Sequence, residues 1–256
     1  MDIERAFTEY GDPANPAIVM VHGIRLGRAM WEPHARALAR RFHVITLDLP
    51  GHGALVDVSF TAEHVGAVLD HAVARIATSP PLLVGYSLGG FAGMQYAAAL
   101  PERTSGLVLA GCTLDFDAWK SWPYEASVGF SSLLPQSWLD YALDLSLHMV
   151  LPREWADTIA RIPFNRDVLN RTNAYTRDHA RFSTSLAGYP APILFINGEH
   201  DLVFRLDERR YRESAPNAAF HLIRGSDHTA PMRKHREFAA AVEGFANGVF
   251  AQEVFA

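Results

Sequence analysis

The string Gly85-Tyr86-Ser87-Leu88-Gly89-Gly90 lies between an apolar run at 81–84 and the helix-forming stretch FAGMQYAAAL, and it limits the possible folds more than any other feature of this sequence. Glycines two residues before and after a serine suit a very tight strand-to-helix turn, in which a Cβ would strike neighbouring backbone. Such a turn lifts Ser87 above a sheet edge and seats it at the amino end of a helix. There the backbone N–H of Leu88 lacks an intrahelical partner and is free to bond a developing oxyanion. The plainer alternative is a serine that only caps the helix.

The rest of the chain supplies the sheet that this turn requires. Short, nearly continuous apolar runs predict strands at 17–21, 43–48, 81–84, 105–110, 193–196 and 219–223, with a shorter leading strand at 3–10. Helical patterns fall between them at about 30–40, 61–77, 88–100, 206–214 and 232–246, and Thr61 is placed to cap the second. Strand and helix alternation of this kind predicts an α/β fold, a mostly parallel central sheet flanked by helices. The rhythm breaks for some seventy residues. We therefore expect one core domain from 1–114 and 188–256, interrupted by a helical cap or lid at 115–187. The insertion carries Trp119, Trp122, Trp138 and Trp155, and Pro123, Pro135, Pro152 and Pro163 divide it into short helices. Its aromatic content suggests a cover over the serine, or a small subdomain with its own core.

Composition narrows the function classes. A formal net charge of -5 with no Lys/Arg block offers no footprint for nucleic acid or anionic lipid, so a small, largely apolar molecule is the expected partner. Cys112 is the single cysteine, which excludes an intramolecular disulfide and suits a reducing, cytoplasmic setting. No apolar run approaches the length of a membrane span. Oligomeric state is not encoded in any pattern visible here.

A serine hydroxyl needs a base, and the base needs a group to fix its tautomer. Among twelve histidines, His228 follows the last expected strand, in Gly225-Ser226-Asp227-His228, and Asp201 follows the strand before it, in NGEHD. In a parallel sheet these loops converge on the edge that carries the serine. Glu199, Asp207 and Asp227 are rival acids, and Asp115 a further one after an earlier strand. A second oxyanion donor is expected from the loop after 17–21, where Gly23 permits close approach and Ile24 offers its N–H. His22 is expected to stabilise that loop.

With HGI at 22–24, DLPGHG at 48–53, GYSLGG at 85–90, NGEHD at 197–201 and GSDH at 225–228, the sequence resembles the α/β-hydrolase fold family, of the lid-bearing esterase, lipase and carbon-carbon hydrolase kind. The resemblance implies a Ser87–Asp201–His228 triad, an oxyanion hole from Ile24 and Leu88, and a pocket beneath the lid, with no metal or cofactor. The expected activity is hydrolysis of an ester-like acyl bond through an acyl-enzyme. Lactone, thioester and carbon-carbon substrates share this machinery, and a triad-bearing ligand receptor with little turnover is the rival from another class. Arg25 departs from the family pattern, which has a small or apolar residue there in many relatives, and could attract an anionic group.

Overall fold

The computed structural model describes residues 2–76, 79–116, 122–179, 181–215 and 217–253. Seven strands form one sheet: β1 (Phe7–Tyr10), β2 (Ala17–Val21), β3 (His43–Leu47), β4 (Leu82–Tyr86), β5 (Gly106–Ala110), β6 (Ile193–Gly198) and β7 (Ala218–Ile223). Their spatial order is β1, β3, β2, β4, β5, β6, β7, and only β1 runs antiparallel to its neighbour. The leading strand is shorter than expected. Residues 4–6 form a 3-10 turn, in which the Ala6 N–H donates to the Ile3 carbonyl and buries Ala6.

In the five inner strands, β2 to β6, the continuous apolar runs are explained by burial on both faces. Ile18 and Met20 of β2 join one core layer, while Val19 and Val21 join the other, as the two-residue period of a strand dictates. Helices α1 (Glu32–Leu38) and α11 (His235–Glu253) cover the first layer. The second is covered by α2 (Ala62–Ala74), whose Thr61 hydroxyl accepts the His64 N–H at 3.2 Å, by α3 (Leu88–Ala99) and by α9 (Glu208–Ser214).

Between β5 and β6 the chain makes a helical excursion: α4 (Trp122–Leu133), α5 (Gln136–Val150), α6 (Arg153–Ala160), α7 (Asp167–Asp178) and α8 (Phe182–Ser185). A further short helix, α10 (Ala230–Arg233), precedes α11. The excursion is not uniform. Phe182 is fully buried against Phe91 of α3 and Phe116, with ring centroids 4.7 and 6.1 Å apart. The buried Asp115 carboxylate accepts the Ser183 N–H (2.9 Å), the Ser183 hydroxyl (2.6 Å) and an Arg210 guanidinium N–H (3.0 Å), binding both ends of the excursion to the core.

The described tryptophans do not share one surface. Trp122 and Trp138 are exposed, and Trp155 packs between His34 and His235 at the α1 and α11 layer. Trp119 lies outside the described residues. Among the described residues, no helix is long and apolar enough to cross a membrane.

Candidate active site

The turn between β4 and α3 has the geometry that its glycines predict. Ser87 takes φ 51°, a left-handed conformation that a residue with a side chain rarely adopts, and its N–H donates to Ala110 of the adjacent strand at 2.8 Å. A Cβ on Gly89 would stand 2.4 Å from the Val21 carbonyl oxygen, so only glycine lets the start of α3 pass so close to β2. The Ser87 hydroxyl makes no capping bond to its helix, which removes the cap-only alternative.

It faces His228 instead. The Ser87 Oγ lies 3.2 Å from His228 Nε2, and His228 Nδ1 lies 2.7 Å from Asp201 Oδ2. With its proton on Nδ1, the ring donates to the carboxylate and leaves Nε2 bare to accept from the serine. The other Asp201 oxygen accepts the Phe204 N–H at 3.2 Å, and Asp201 is buried. The rival acids are engaged elsewhere. Glu199 accepts the Gly225 N–H, Asp227 the Thr229 N–H and Asp207 the Asp115 N–H, while Asp115 holds Ser183.

Three residues that sequence reasoning missed fix the imidazole. Phe204 stacks on it at 4.2 Å and 18°, and the Tyr86 hydroxyl donates to the His228 carbonyl at 2.9 Å. Gly111, at φ +57°, leaves room for it, since a Cβ there would lie 2.9 Å from the ring. The one available signal was a glycine directly after β5 at the edge where the other loops meet.

The loop after β2 reaches the same point. A Cβ on Gly23 would come within 3.4 Å of the Ser87 Cβ, which places Ile24 beside the serine. Two buried histidines shape this loop. His22 donates from Nδ1 to the Gly23 carbonyl (2.7 Å) and accepts the Leu49 N–H at Nε2 (2.9 Å), as expected of a loop stabiliser. His52 accepts the Arg25 N–H at Nε2 (3.1 Å) and donates from Nδ1 to Pro50 (2.9 Å). Both act as acceptors only while neutral, and burial lowers their pKa values to about 4 and about 3. Among the described residues the backbone N–H groups of Ile24 and Leu88 meet no acceptor. Above Ile24, Leu139 of α5 and Leu169 of α7 form an apolar cluster, with Leu134 and Phe164 against it.

Comparisons with known proteins show what the chain as a whole is similar to. A model described as the alpha/beta hydrolase family matches residues 18–241. The pimeloyl-[acyl-carrier protein] methyl ester esterase of Chromobacterium violaceum is 28% identical over 244 residues, 89% of this chain and 92% of that one. Its counterpart in Xanthomonas axonopodis pv. citri is 30% identical over 198 residues, 76% of this chain and 70% of that one. Among solved structures, a carboxylesterase study of Nitrososphaera gargenis gives a TM-score of 0.79 at 16% identity, covering 96% of this chain and 95% of the other. A hydrolase from Pseudomonas aeruginosa PA01 gives 0.74 at 23% identity, with 93% and 92% covered.

Proposed function

This chain belongs to the alpha/beta hydrolase family, and from that premise we propose that it is a serine esterase acting on a small ester through an acyl-enzyme. The observation that carries the reading is the unbroken hydrogen-bond chain from Asp201 through His228 to Ser87. Ser87 Oγ attacks the ester carbonyl as His228 Nε2 takes its proton, and Asp201 stabilises the resulting imidazolium. The oxyanion of the tetrahedral intermediate accepts the N–H groups of Ile24 and Leu88. Collapse expels the alcohol, which takes the proton from His228. Water, deprotonated by the same nitrogen, then attacks the acyl-enzyme, and Ser87 leaves with that proton as the acid is released.

The helical excursion serves as a lid in this reading, with Leu139 and Leu169 closing over Ile24. The buried Cys112 suits a reducing, cytoplasmic setting. The names of the curated relatives make methyl esters the first substrates to try. A fluorophosphonate probe should label Ser87 stoichiometrically, a generic para-nitrophenyl ester should be turned over many times, and Ser87→Ala should abolish both. An adduct mapped to another residue would overturn the nucleophile, and labelling without turnover would favour a ligand receptor.

A further inference from the structure

Arg25 follows the oxyanion residue, at φ 60°, and its side chain lies in the seam between the core and the excursion. One guanidinium nitrogen donates to the Leu139 carbonyl at 2.6 Å, and the ring of Phe164 lies 5.8 Å away. The side chain is 17% exposed, yet its charge is poorly met. Its Nε is buried and has no hydrogen-bond partner, and the acid beside it, Asp140, stands 3.6 Å away on a side chain that is 57% exposed. The histidines beneath it, His22 and His52, are neutral and supply no anion. Burial pushes the Arg25 guanidinium below its usual range.

A buried N–H without an acceptor costs about 1–3 kcal/mol, and more on a charged group, so an acceptor brought to the Arg25 Nε would stabilise it. Arginine at such a place has a planar fork suited to two carboxylate oxygens. The position also matters. Gly23, two residues earlier, abuts Ser87, so Arg25 stands on the loop that approaches the serine, where a substrate long enough to reach both can place a second, charged end.

We propose that Arg25 binds a carboxylate carried by the substrate at the end remote from the scissile bond, which makes half-esters of dicarboxylic acids the preferred substrate class. This rests on the esterase reading above. An incoming carboxylate satisfies Nε and compensates the charge that Asp140 shares with solvent.

The test compares the monomethyl esters of succinate, glutarate and adipate with neutral methyl esters of equal chain length. At least one half-ester should exceed its neutral partner about tenfold in kcat/KM, mainly through KM. Arg25→Gln should cut that ratio about tenfold, and Arg25→Lys should leave an intermediate value, since it keeps the charge without the fork. Equal kcat/KM for both classes in the parent, or a ratio unchanged by Arg25→Gln while both rates fall, would make Arg25 a tie between loop and helices and overturn the proposal. Calorimetry of half-ester binding to Ser87→Ala separates this from failure of the esterase reading. If no ester is turned over, binding that is lost on adding Arg25→Gln still supports the carboxylate site, and absence of binding to Ser87→Ala overturns it.

Discussion

Gly111 sets the position of the imidazole as firmly as the aspartate does. An alanine there would bring a Cβ to 2.9 Å from the His228 ring and 3.4 Å from Asp201, in a backbone conformation that already disfavours a side chain. A displacement of the order of 1 Å can cost about 10²-fold in rate. Gly111→Ala should therefore lower kcat on a generic ester by roughly that factor, with a modest fall in melting temperature. A variant within twofold of the parent would mean that the ring tolerates the displacement. Sequence reasoning found Ser87, Asp201 and His228 because each follows a strand of a parallel sheet, and strand ends of such a sheet share one edge. It could not find Tyr86, Phe204 or Gly111 as supports of His228, since their contacts depend on ring orientation and on a turn between residues far apart in the chain. Arg25 was visible as an oddity, but its partner, the Leu139 carbonyl, lies on a helix more than a hundred residues away.

The elements divide by how they are anchored. The inner sheet strands were readable to within two residues, since burial on both faces leaves continuous Val, Ile and Leu, whereas the half-exposed leading strand was expected four residues too long. The excursion was readable as an interruption built of short helices, with Pro135 and Pro152 directly before α5 and α6, but how those helices pack was not. The aromatic content suggested a cover over the serine or a small subdomain core, and the described tryptophans divide, Trp122 and Trp138 exposed and Trp155 packed between His34 and His235, because hydrophobicity alone does not tell which surface a short helix presents. Anchoring has a measurable consequence. Phe182→Ala removes a fully buried ring and should cost about 3–5 kcal/mol, lowering the melting temperature by about 10 °C in a domain of this size. Trp138→Ala should change it by less than about 0.5 kcal/mol. Equal losses in thermal melts of the two variants would contradict the distinction between the buried Phe182 anchor and the exposed Trp138 surface.

At the scale of the whole molecule, buried histidines make folding sensitive to mild acid. Burial lowers the pKa values of His22 and His34 to about 4 and that of His52 to about 3, against an ordinary 6.5. The folded chain keeps all three neutral, while the unfolded chain binds protons below 6.5. Their stabilising contribution is thus complete above about pH 6.5 and declines as pH falls toward 4. By pH 5 the loss is about 2 kcal/mol for each, and their sum is comparable with a typical total stability. Urea unfolding should accordingly show a steep loss of stability between pH 6.5 and 5, a range where exposed carboxylates contribute little, and a flat profile there would refute the assignment of neutral buried rings. The excursion has a different consequence, which concerns descent. Its last helix, α8, is sealed into the core, and α5, α6 and α7 each pair a core-facing side with an exposed one, while the register of β5 and β6 is set by the strands themselves. Under the proposed lid role, drift at exposed positions such as Trp138 and Tyr141 can redirect which molecules reach the serine, while Leu147, Ile159 and Val168, which join the core, hold the frame of the bond-breaking apparatus.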